Sequence, residues 1–143
     1  MIKQIAHLCV RSHDLKKSEE FYVRAFGLSI AFEFFWGGKR SGFYLDCGNN
    51  TFLEIFEVTE PSVPSGNLST MAHIALECDD IHAVCEKIKL AGYGVSEPCL
   101  GCDHTLQAWV TDPAGLQIEL QQYTSESNQI VRKNIIFDNQ TGK

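Results

Sequence analysis

Long apolar runs are missing from this chain, and their absence excludes one class of protein. No stretch approaches the roughly 18 uninterrupted apolar residues that a helix needs to cross a bilayer. The segment 1–15 carries His7, Arg11, His13 and Asp14 where a secretory signal would have its apolar stretch. We therefore expect no membrane span and no export, and hence a cytoplasmic protein.

Basic patches are missing as well. Residues 1–70 hold 7 Lys and Arg against 8 Asp and Glu, while residues 71–143 hold 5 against 10, so the halves carry −1 and −5. No Lys or Arg occurs between Leu90 and Val131. A nucleic-acid partner needs clustered cations that neutralise its phosphates, so the sequence excludes this class of partner.

The six cysteines do not form a complete metal or redox motif. Cys99 and Cys102 form a CxxC followed by His104, but a structural zinc site would need a second such pair, which the sequence does not have. A thioredoxin-like motif would open a helix just after a strand. Disulfide frameworks are typical of small secreted chains, so we expect reduced thiols and a coincidental loop pair.

An internal repeat is what the chain does have. Its 143 residues, 44% of them hydrophobic, suit one compact domain. Two pairs of matching segments lie the same number of residues apart: AHLCV at 6 with AHIAL at 72, and DL at 14 with DI at 80. The segments of a third pair, FLEI at 52 and QIEL at 117, lie one residue closer together. Two copies of one unit thus follow each other, and a single-residue loop deletion explains the slip.

Each copy predicts the element order βαβββ. Alternating segments predict strands at 2–10, 28–35, 42–47 and 51–58 in the first copy, and at 71–78, 93–97, 105–111 and 116–121 in the second. Helix caps are predicted at Ser12 or Asp14 and at Asp79 or Asp80. We therefore expect an α+β protein with these parts: a first module at 1–58, a linker at 59–69, a second module at 70–123 and a C-terminal tail at 124–143.

Strand alternation separates the polar residues of each copy from its apolar ones. One face of the first and last strands is purely apolar and suits the helix. The opposite face carries one His and one Glu, which are His7 and Glu54 in the first copy and His73 and Glu119 in the second. Two imidazoles and two carboxylates suit a first-row divalent ion with positions left open for substrate. If a pseudo-twofold relation brings all four together, they form a metal site for a borderline first-row ion such as Ni²⁺, Zn²⁺, Co²⁺, Mn²⁺ or Fe²⁺.

Four segments, which together span almost everything up to Tyr123, carry a family resemblance: IAHLCVRSHDLKKSEEFYVRAFGL, TFLEIFEV, MAHIALECDDIHAVCEKIKLAG and VTDPAGLQIELQQY. With them the chain resembles the vicinal oxygen chelate superfamily, which includes glyoxalase I, methylmalonyl-CoA epimerase, ring-cleaving dioxygenases, fosfomycin-resistance proteins and bleomycin-binding proteins. The resemblance implies one domain in which two βαβββ modules form a curved mixed-sheet cleft. It also implies a homodimer, because small members commonly build the cleft across two chains.

The resemblance is most specific for glyoxalase I, which carries a His/Glu/His/Glu set at positions that match His7, Glu54, His73 and Glu119. It implies a divalent-metal-dependent lyase or isomerase acting on the hemithioacetal of a 2-oxoaldehyde through an enediolate. Glu119 is then the expected base, and Glu54 is the candidate for the opposite face of the substrate. His7 and His73 remain fixed ligands.

Three further residues are candidates for substrate binding. Arg11 lies where glyoxalase I enzymes place an Arg that binds the glutathione carboxylate, although an exposed strand-end cation is the alternative. Phe52 and Phe56 flank Glu54 on its face and are the best aromatic candidates for lining a pocket. Val58 stands where family members often carry Asn, and the cation-free stretch stands where they carry Lys or Arg, so glutathione does not follow as the thiol.

Two other functions stay open. A ring-cleaving dioxygenase or another Fe²⁺-dependent oxygenase would use only His7, His73 and Glu119. A non-catalytic small-molecule binding or resistance protein of the same superfamily would bind its ligand without a metal.

Overall fold

Two four-stranded mixed sheets form the framework of the chain. The computed structural model describes residues 3–58 and 71–135, and the predicted linker lies outside them. The first sheet has the order β1-β4-β3-β2, with β1 (His7–Ser12), β2 (Ser29–Trp36), β3 (Lys39–Asp46) and β4 (Phe52–Glu57). The second has the order β5-β8-β7-β6, with β5 (Ile74–Glu77), β6 (Cys99–Leu100), β7 (Leu106–Thr111) and β8 (Gln117–Gln122). The predicted α+β class is confirmed.

Aspartate caps begin the two main helices, as the sequence predicts. Asp14 caps α1 (Leu15–Glu19), and Asp80 caps α2 (Ile81–Leu90). Each carboxylate accepts the backbone N–H three residues further on at 3.0 Å, which satisfies one of the free donors at the helix start. A π-helical turn at Glu20–Ala25 follows α1 directly. None of the helices in the described residues is long and apolar enough to span a membrane.

One predicted strand is wrong. Residues 93–97 have a strand-like pattern, whereas the structure has only an isolated bridge at Val95 and the two-residue β6 after it. The side chain of Ser96 explains the break, because its hydroxyl accepts the Trp109 N–H at 2.8 Å and takes a donor that a ladder carbonyl would otherwise use. Pro98 then has no N–H to offer to the neighbouring strand.

The first part of the tail packs beside the second sheet. It contains a short helix, α3 (Asn128–Val131), preceded by the fully buried Ser127. The hydroxyl of Thr105, also fully buried, donates to the hydroxyl of Ser127 at 3.2 Å. The apolar run Ile135-Ile136-Phe137 indicates that the tail also docks there, but residues 136 and 137 lie outside the described residues.

The helical elements of the two modules contact each other, and α2 also packs on β7 and β8 of its own sheet. Phe21 from the π-helical turn meets the Tyr93 ring edge-on at 4.8 Å between centroids. The neighbouring Tyr22 donates its hydroxyl to the Asp112 carboxylate at 2.8 Å, in a buried contact across 90 residues of sequence. We call these four residues the module junction. It lies on the helix side of both sheets, so the opposite sheet faces are left uncovered by it.

Removal of the tyrosine hydroxyl at the module junction tests its contribution to stability. We expect Tyr22→Phe to lower the free energy of unfolding by about 1.5 kcal/mol, because a buried hydrogen bond to a charged group is lost. Asp112→Ala should lower it by about 3 kcal/mol, since Asp112 also accepts the backbone N–H groups of Ala114 and Leu116 at 2.9 and 2.7 Å. Urea denaturation measures both values. Tyr123→Phe is the control, with an expected change below about 0.5 kcal/mol.

Candidate metal centre

The first His/Glu pair lies on neighbouring parallel strands. The pairing of β1 with β4 places His7 opposite Phe52 and Cys9 opposite Glu54. Nε2 of His7 lies 3.7 Å from Oε2 of Glu54, and 44% of the histidine side chain is exposed. The residues that alternate with them, such as the fully buried Ile55, face the helix. We call His7 and Glu54 the first half-site.

The second pair occupies the matching positions of the second sheet. Nε2 of His73, just before β5, lies 3.2 Å from Oε2 of Glu119, which is buried on β8. Glu119 lies opposite Ala75 on β5 and opposite Trp109 on β7. The Trp109 ring meets the His73 ring edge-on at 5.0 Å between centroids. We call His73 and Glu119 the second half-site.

The donor separations test whether these residues fit a divalent ion. Two donors that each lie about 2.1 Å from one ion are roughly 3.0 to 3.4 Å apart. The second half-site falls within that span at 3.2 Å, and the first half-site, at 3.7 Å, needs only a small side-chain rotation. Imidazole nitrogen and carboxylate oxygen are also the donor types that such ions accept. Both pairs therefore fit a divalent metal.

The two half-sites do not meet within one chain. In residues 3–58 and 71–135, no three side chains of His, Cys, Asp or Glu gather closely enough to hold an ion. The half-sites lie on different sheets, and in the part of the chain that the structure describes these sheets share no strand pairing. One chain therefore presents two incomplete sets of ligands, in agreement with the single His and single Glu that the sequence assigns to each module.

Two residues beside the first half-site have no assigned role in the sequence prediction. Tyr44 lies opposite Glu54 across β3 and β4, and its ring centroid is 5.5 Å from that of His7. Burial, a hydrogen bond to Glu54 and the charge of Glu54 all raise the pKa of the Tyr44 hydroxyl. Burial first, and then the same carboxylate, raises the pKa of the Cys9 thiol to about 11. At neutral pH both groups are therefore protonated.

The sequence contains a signal for only one of these two residues. Cys9 follows His7 by two positions, so strand alternation already puts it on the face of the half-site. The position of Tyr44 depends on the register of β3 against β4, which pairs it with Glu54. Alternation within a single strand does not give this register.

The aromatic candidates lie on the face of the first half-site. Phe52 and Phe56 alternate with the buried residues of β4, on either side of Glu54. The Phe56 ring lies 4.8 Å from that of Phe34, and both residues pair with Gly42 on β3. A Cβ atom at Gly42 would lie 3.2 Å from the Phe56 ring and 2.6 Å from a backbone oxygen, so glycine is what lets the two rings meet above this strand.

Arg11 shares this face as well. It lies two residues past Cys9 on β1, opposite Phe56, and its side chain is exposed. The charge of Arg11 partly opposes the rise in the pKa of Cys9, which agrees with its closeness to the half-site. The structure thus brings Arg11, Phe52 and Phe56 to one side of the sheet together with His7 and Glu54.

Comparison with known proteins gives the family. Residues 4–120 match the model of the Glyoxalase/Bleomycin resistance protein/Dioxygenase superfamily. The chain is 34% identical over 131 residues to a probable lactoylglutathione lyase of Vibrio cholerae, which covers 83% of this chain and 90% of the relative. It is 28% identical over 134 residues to a lactoylglutathione lyase of Neisseria meningitidis, with 89% and 96% covered.

A solved structure with a different stated role is also similar. It is TnmS3, an antibiotic binding protein from Streptomyces, with a TM-score of 0.70 and 25% identity over 86% of this chain and 98% of that one. Enzymes and a binding protein therefore both occur among the relatives. The family match spans both half-sites and most of the chain, so this protein belongs to the Glyoxalase/Bleomycin resistance protein/Dioxygenase superfamily.

Proposed function

We propose that this protein is a divalent-metal-dependent lyase of the glyoxalase I type, which isomerises the hemithioacetal of a 2-oxoaldehyde and a thiol to a 2-hydroxy thioester. The duplicated His/Glu pair supports this proposal most directly. Each module carries both donor types on matching positions of its site face, with 3.7 and 3.2 Å between them. The lactoylglutathione lyase relatives, at 28 and 34% identity, point to the same reaction class.

The reaction requires a base beside the substrate carbon that bears sulfur. The C–H bond of that carbon breaks, an enediolate forms, and the proton returns to the neighbouring carbon, so the substrate is neither oxidised nor reduced overall. Glu119 is our choice for the base, and its carboxylate is buried in the middle of β8 beside His73. When bound, a divalent ion would supply the positive charge that stabilises the enediolate oxygens. His7, Glu54, His73 and Glu119 would hold it, and Glu119 would serve both as a ligand and as the base.

A homodimer with shared sites would complete the ligand set. Each chain presents two half-sites on separate sheets, and in the described residues they do not form one group. In a symmetric pair of chains, the first half-site of one chain can face the second half-site of the other, and two identical centres result. Two exposed aromatic side chains on the β2–β3 hairpin, Phe35 at 62% and Trp36 at 85%, are candidates for burial on association.

The surroundings of the half-sites favour an apolar substrate with little negative charge. The first half-site is bordered by aromatic rings, among them Phe52, Phe56 and Tyr44. Glutathione carries two carboxylates, whereas Arg11 is the cation that we place on this face among the described residues, and the stretch from Leu90 to Val131 contains no Lys or Arg. We therefore leave the thiol open and propose Arg11 as the anchor for a single carboxylate of the substrate.

Metal-dependent turnover is the direct test of the proposed function. Protein reconstituted with Ni²⁺, Zn²⁺ or Co²⁺ should convert methylglyoxal or phenylglyoxal, each mixed with a thiol, to a thioester that absorbs in the ultraviolet. Removal of the metal with a chelator should abolish turnover. His73→Ala should lose bound metal, measured by elemental analysis, whereas His82→Ala on the outer surface of α2 should retain it.

Two results would contradict this function. Tight binding of a small molecule without any metal requirement would identify a binding protein. Oxygen consumption with Fe²⁺, unchanged in Glu54→Gln, would identify an oxygenase that uses only His7, His73 and Glu119.

Mixing of two inactive variants tests whether the sites are shared. Glu54→Ala damages one half-site and His73→Ala damages the other. After subunit exchange, a heterodimer holds one centre with both substitutions and one intact centre. We expect about one quarter of the wild-type activity from a statistical mixture, because half of the dimers then hold one intact centre of two. Verified exchange without recovered activity would instead favour a site within one chain.

A further inference from the structure

The two modules carry different side chains at the positions that flank their half-site glutamates. On β4 these positions hold Phe52 and Phe56. On β8 they hold Gln117 and Gln121. The segments FLEIF at 52 and QIELQ at 117 match in the repeat, and residues two apart on a strand share a face. The repeat therefore keeps the candidate ligands and changes the chemistry of their surroundings.

An unbroken group of aromatic rings surrounds the first half-site. The Phe34 ring lies 4.8 Å from that of Phe56, and the Phe32 ring stacks on that of Tyr44 at 4.4 Å between centroids with 20° between the planes. The Tyr44 ring also lies 5.7 Å from that of Phe52. We call these five residues the aromatic surface. It suits a flat apolar group, since four of its five side chains have no polar atom.

Side-chain amides border the second half-site instead. Gln107 lies opposite Gln121, and Gln117 lies opposite Thr111, all on the face of Glu119. Gln117 donates its amide N–H to the Thr111 hydroxyl at 2.7 Å. Among the described residues, the side-chain amides of Gln107 and Gln121 have no hydrogen-bond partner. We call the three glutamines the amide surface, and it offers free donors and acceptors to a ligand.

The charges beside the two surfaces differ in sign. Arg11 and Glu77 occupy matching positions of the repeat, and both are exposed. Arg11 lies opposite Phe56, whereas Glu77 lies opposite Gln121. The stretch from Leu90 to Val131 adds no Lys or Arg to the amide surface. An anionic group is therefore attracted to the aromatic surface and repelled from the amide surface.

The position of the base decides which part of the substrate meets which surface. In the proposed reaction Glu119 acts on the carbon that bears sulfur. Gln117 and Gln121 lie two positions before and after Glu119 on its face, so the group attached to that sulfur lies nearest to them. The side chain of the oxoaldehyde, on the neighbouring carbon, extends towards the first half-site of the other chain and its aromatic surface.

We propose that the amide surface selects an uncharged thiol that carries an amide or hydroxyl group, and that the aromatic surface holds an aromatic side chain of the oxoaldehyde. This inference rests on the proposed function and names the thiol class. An amide both donates and accepts, so a glutamine matches it at both atoms. A carboxylate on the thiol would only accept and would lie beside Glu77, whereas one on the oxoaldehyde would lie near Arg11.

Three thiols of one shape test this selection. They are 3-mercaptopropionamide, which is an uncharged amide, 3-mercaptopropionate, which is its carboxylate counterpart, and the apolar 3-methylbutane-1-thiol. Each is mixed with phenylglyoxal, and kcat/KM of the metal-loaded protein is expressed per concentration of hemithioacetal, so that differences in thiol reactivity cancel. We expect the amide to be converted about tenfold better than the carboxylate and about threefold better than the apolar thiol, because it gains hydrogen bonds without repulsion.

Two variants connect this preference to the amide surface. Gln121→Leu keeps the size and removes the amide, so the preference for the amide over the apolar thiol should fall below about twofold. Glu77→Lys should raise kcat/KM for the carboxylate relative to the amide by about fivefold, and about 1 M salt should reduce this gain because exposed charges are screened. Each ratio is measured in one preparation, so partial unfolding does not affect it.

Glu86→Lys is the matched control for the charge reversal. It makes the same change of charge on the exposed side of α2, where 68% of the Glu86 side chain is accessible. Because α2 packs on the opposite side of the second sheet from the amide surface, all ratios should stay within about twofold of those of wild type.

The outcomes separate this inference from the proposed function. If the metal-loaded protein forms no thioester from these three thiols or from glutathione, both are overturned. If it converts glutathione or 3-mercaptopropionate at least as well as the amide, the inference alone is overturned. The same conclusion follows if Gln121→Leu keeps the preference of wild type, or if Glu86→Lys shifts the ratios as much as Glu77→Lys does.

Discussion

Parallel pairing of the first and last strands of each module is the constraint on which the site depends. It brings together two residues that are 47 positions apart in the first module, His7 and Glu54, and sets their donor atoms 3.7 Å apart. The alternation of strand side chains then turns Leu53 and Ile55 towards the helix and the polar pair away from it. A shift of one residue in this pairing would reverse the faces, so burial of the core also fixes the positions of the candidate ligands.

The module junction adds a second constraint, which concerns the arrangement of the two modules. Its buried hydrogen bond from Tyr22 to Asp112 is formed only when the helical side of one module lies against the turn of the other. A buried carboxylate left without this donor would destabilise the chain, so the contact selects one packing of the modules. In that packing the helices lie at the junction, and the uncovered faces remain available to other molecules.

Sequence patterns predicted the face of each module and the start of each helix. Hydrophobic alternation was sufficient for His7 and Glu54 because the neighbouring positions are apolar without exception, and Asp14 and Asp80 each cap a helix through a contact only three residues away. The patterns failed where a side chain competes with the backbone, as Ser96 does when it accepts the Trp109 N–H.

The sequence patterns also did not predict which residues lie opposite each other on neighbouring strands. The sequence places Tyr44 on a strand, but its position opposite Glu54 depends on the register between β3 and β4, which alternation within a single strand does not give. The π-helical turn at Glu20–Ala25 was missed for a related reason. One extra residue per turn hardly changes the spacing of the apolar positions over so short a segment.

The separation of the two half-sites links two equilibria. In the dimer that we propose, an ion binds fully only where two chains meet, so ion binding and chain association must strengthen each other by the same factor. Dilution of the protein would then weaken its hold on the metal, and metal starvation would loosen the dimer. The fraction of chains that hold a metal ion therefore depends on the concentration of the chain itself.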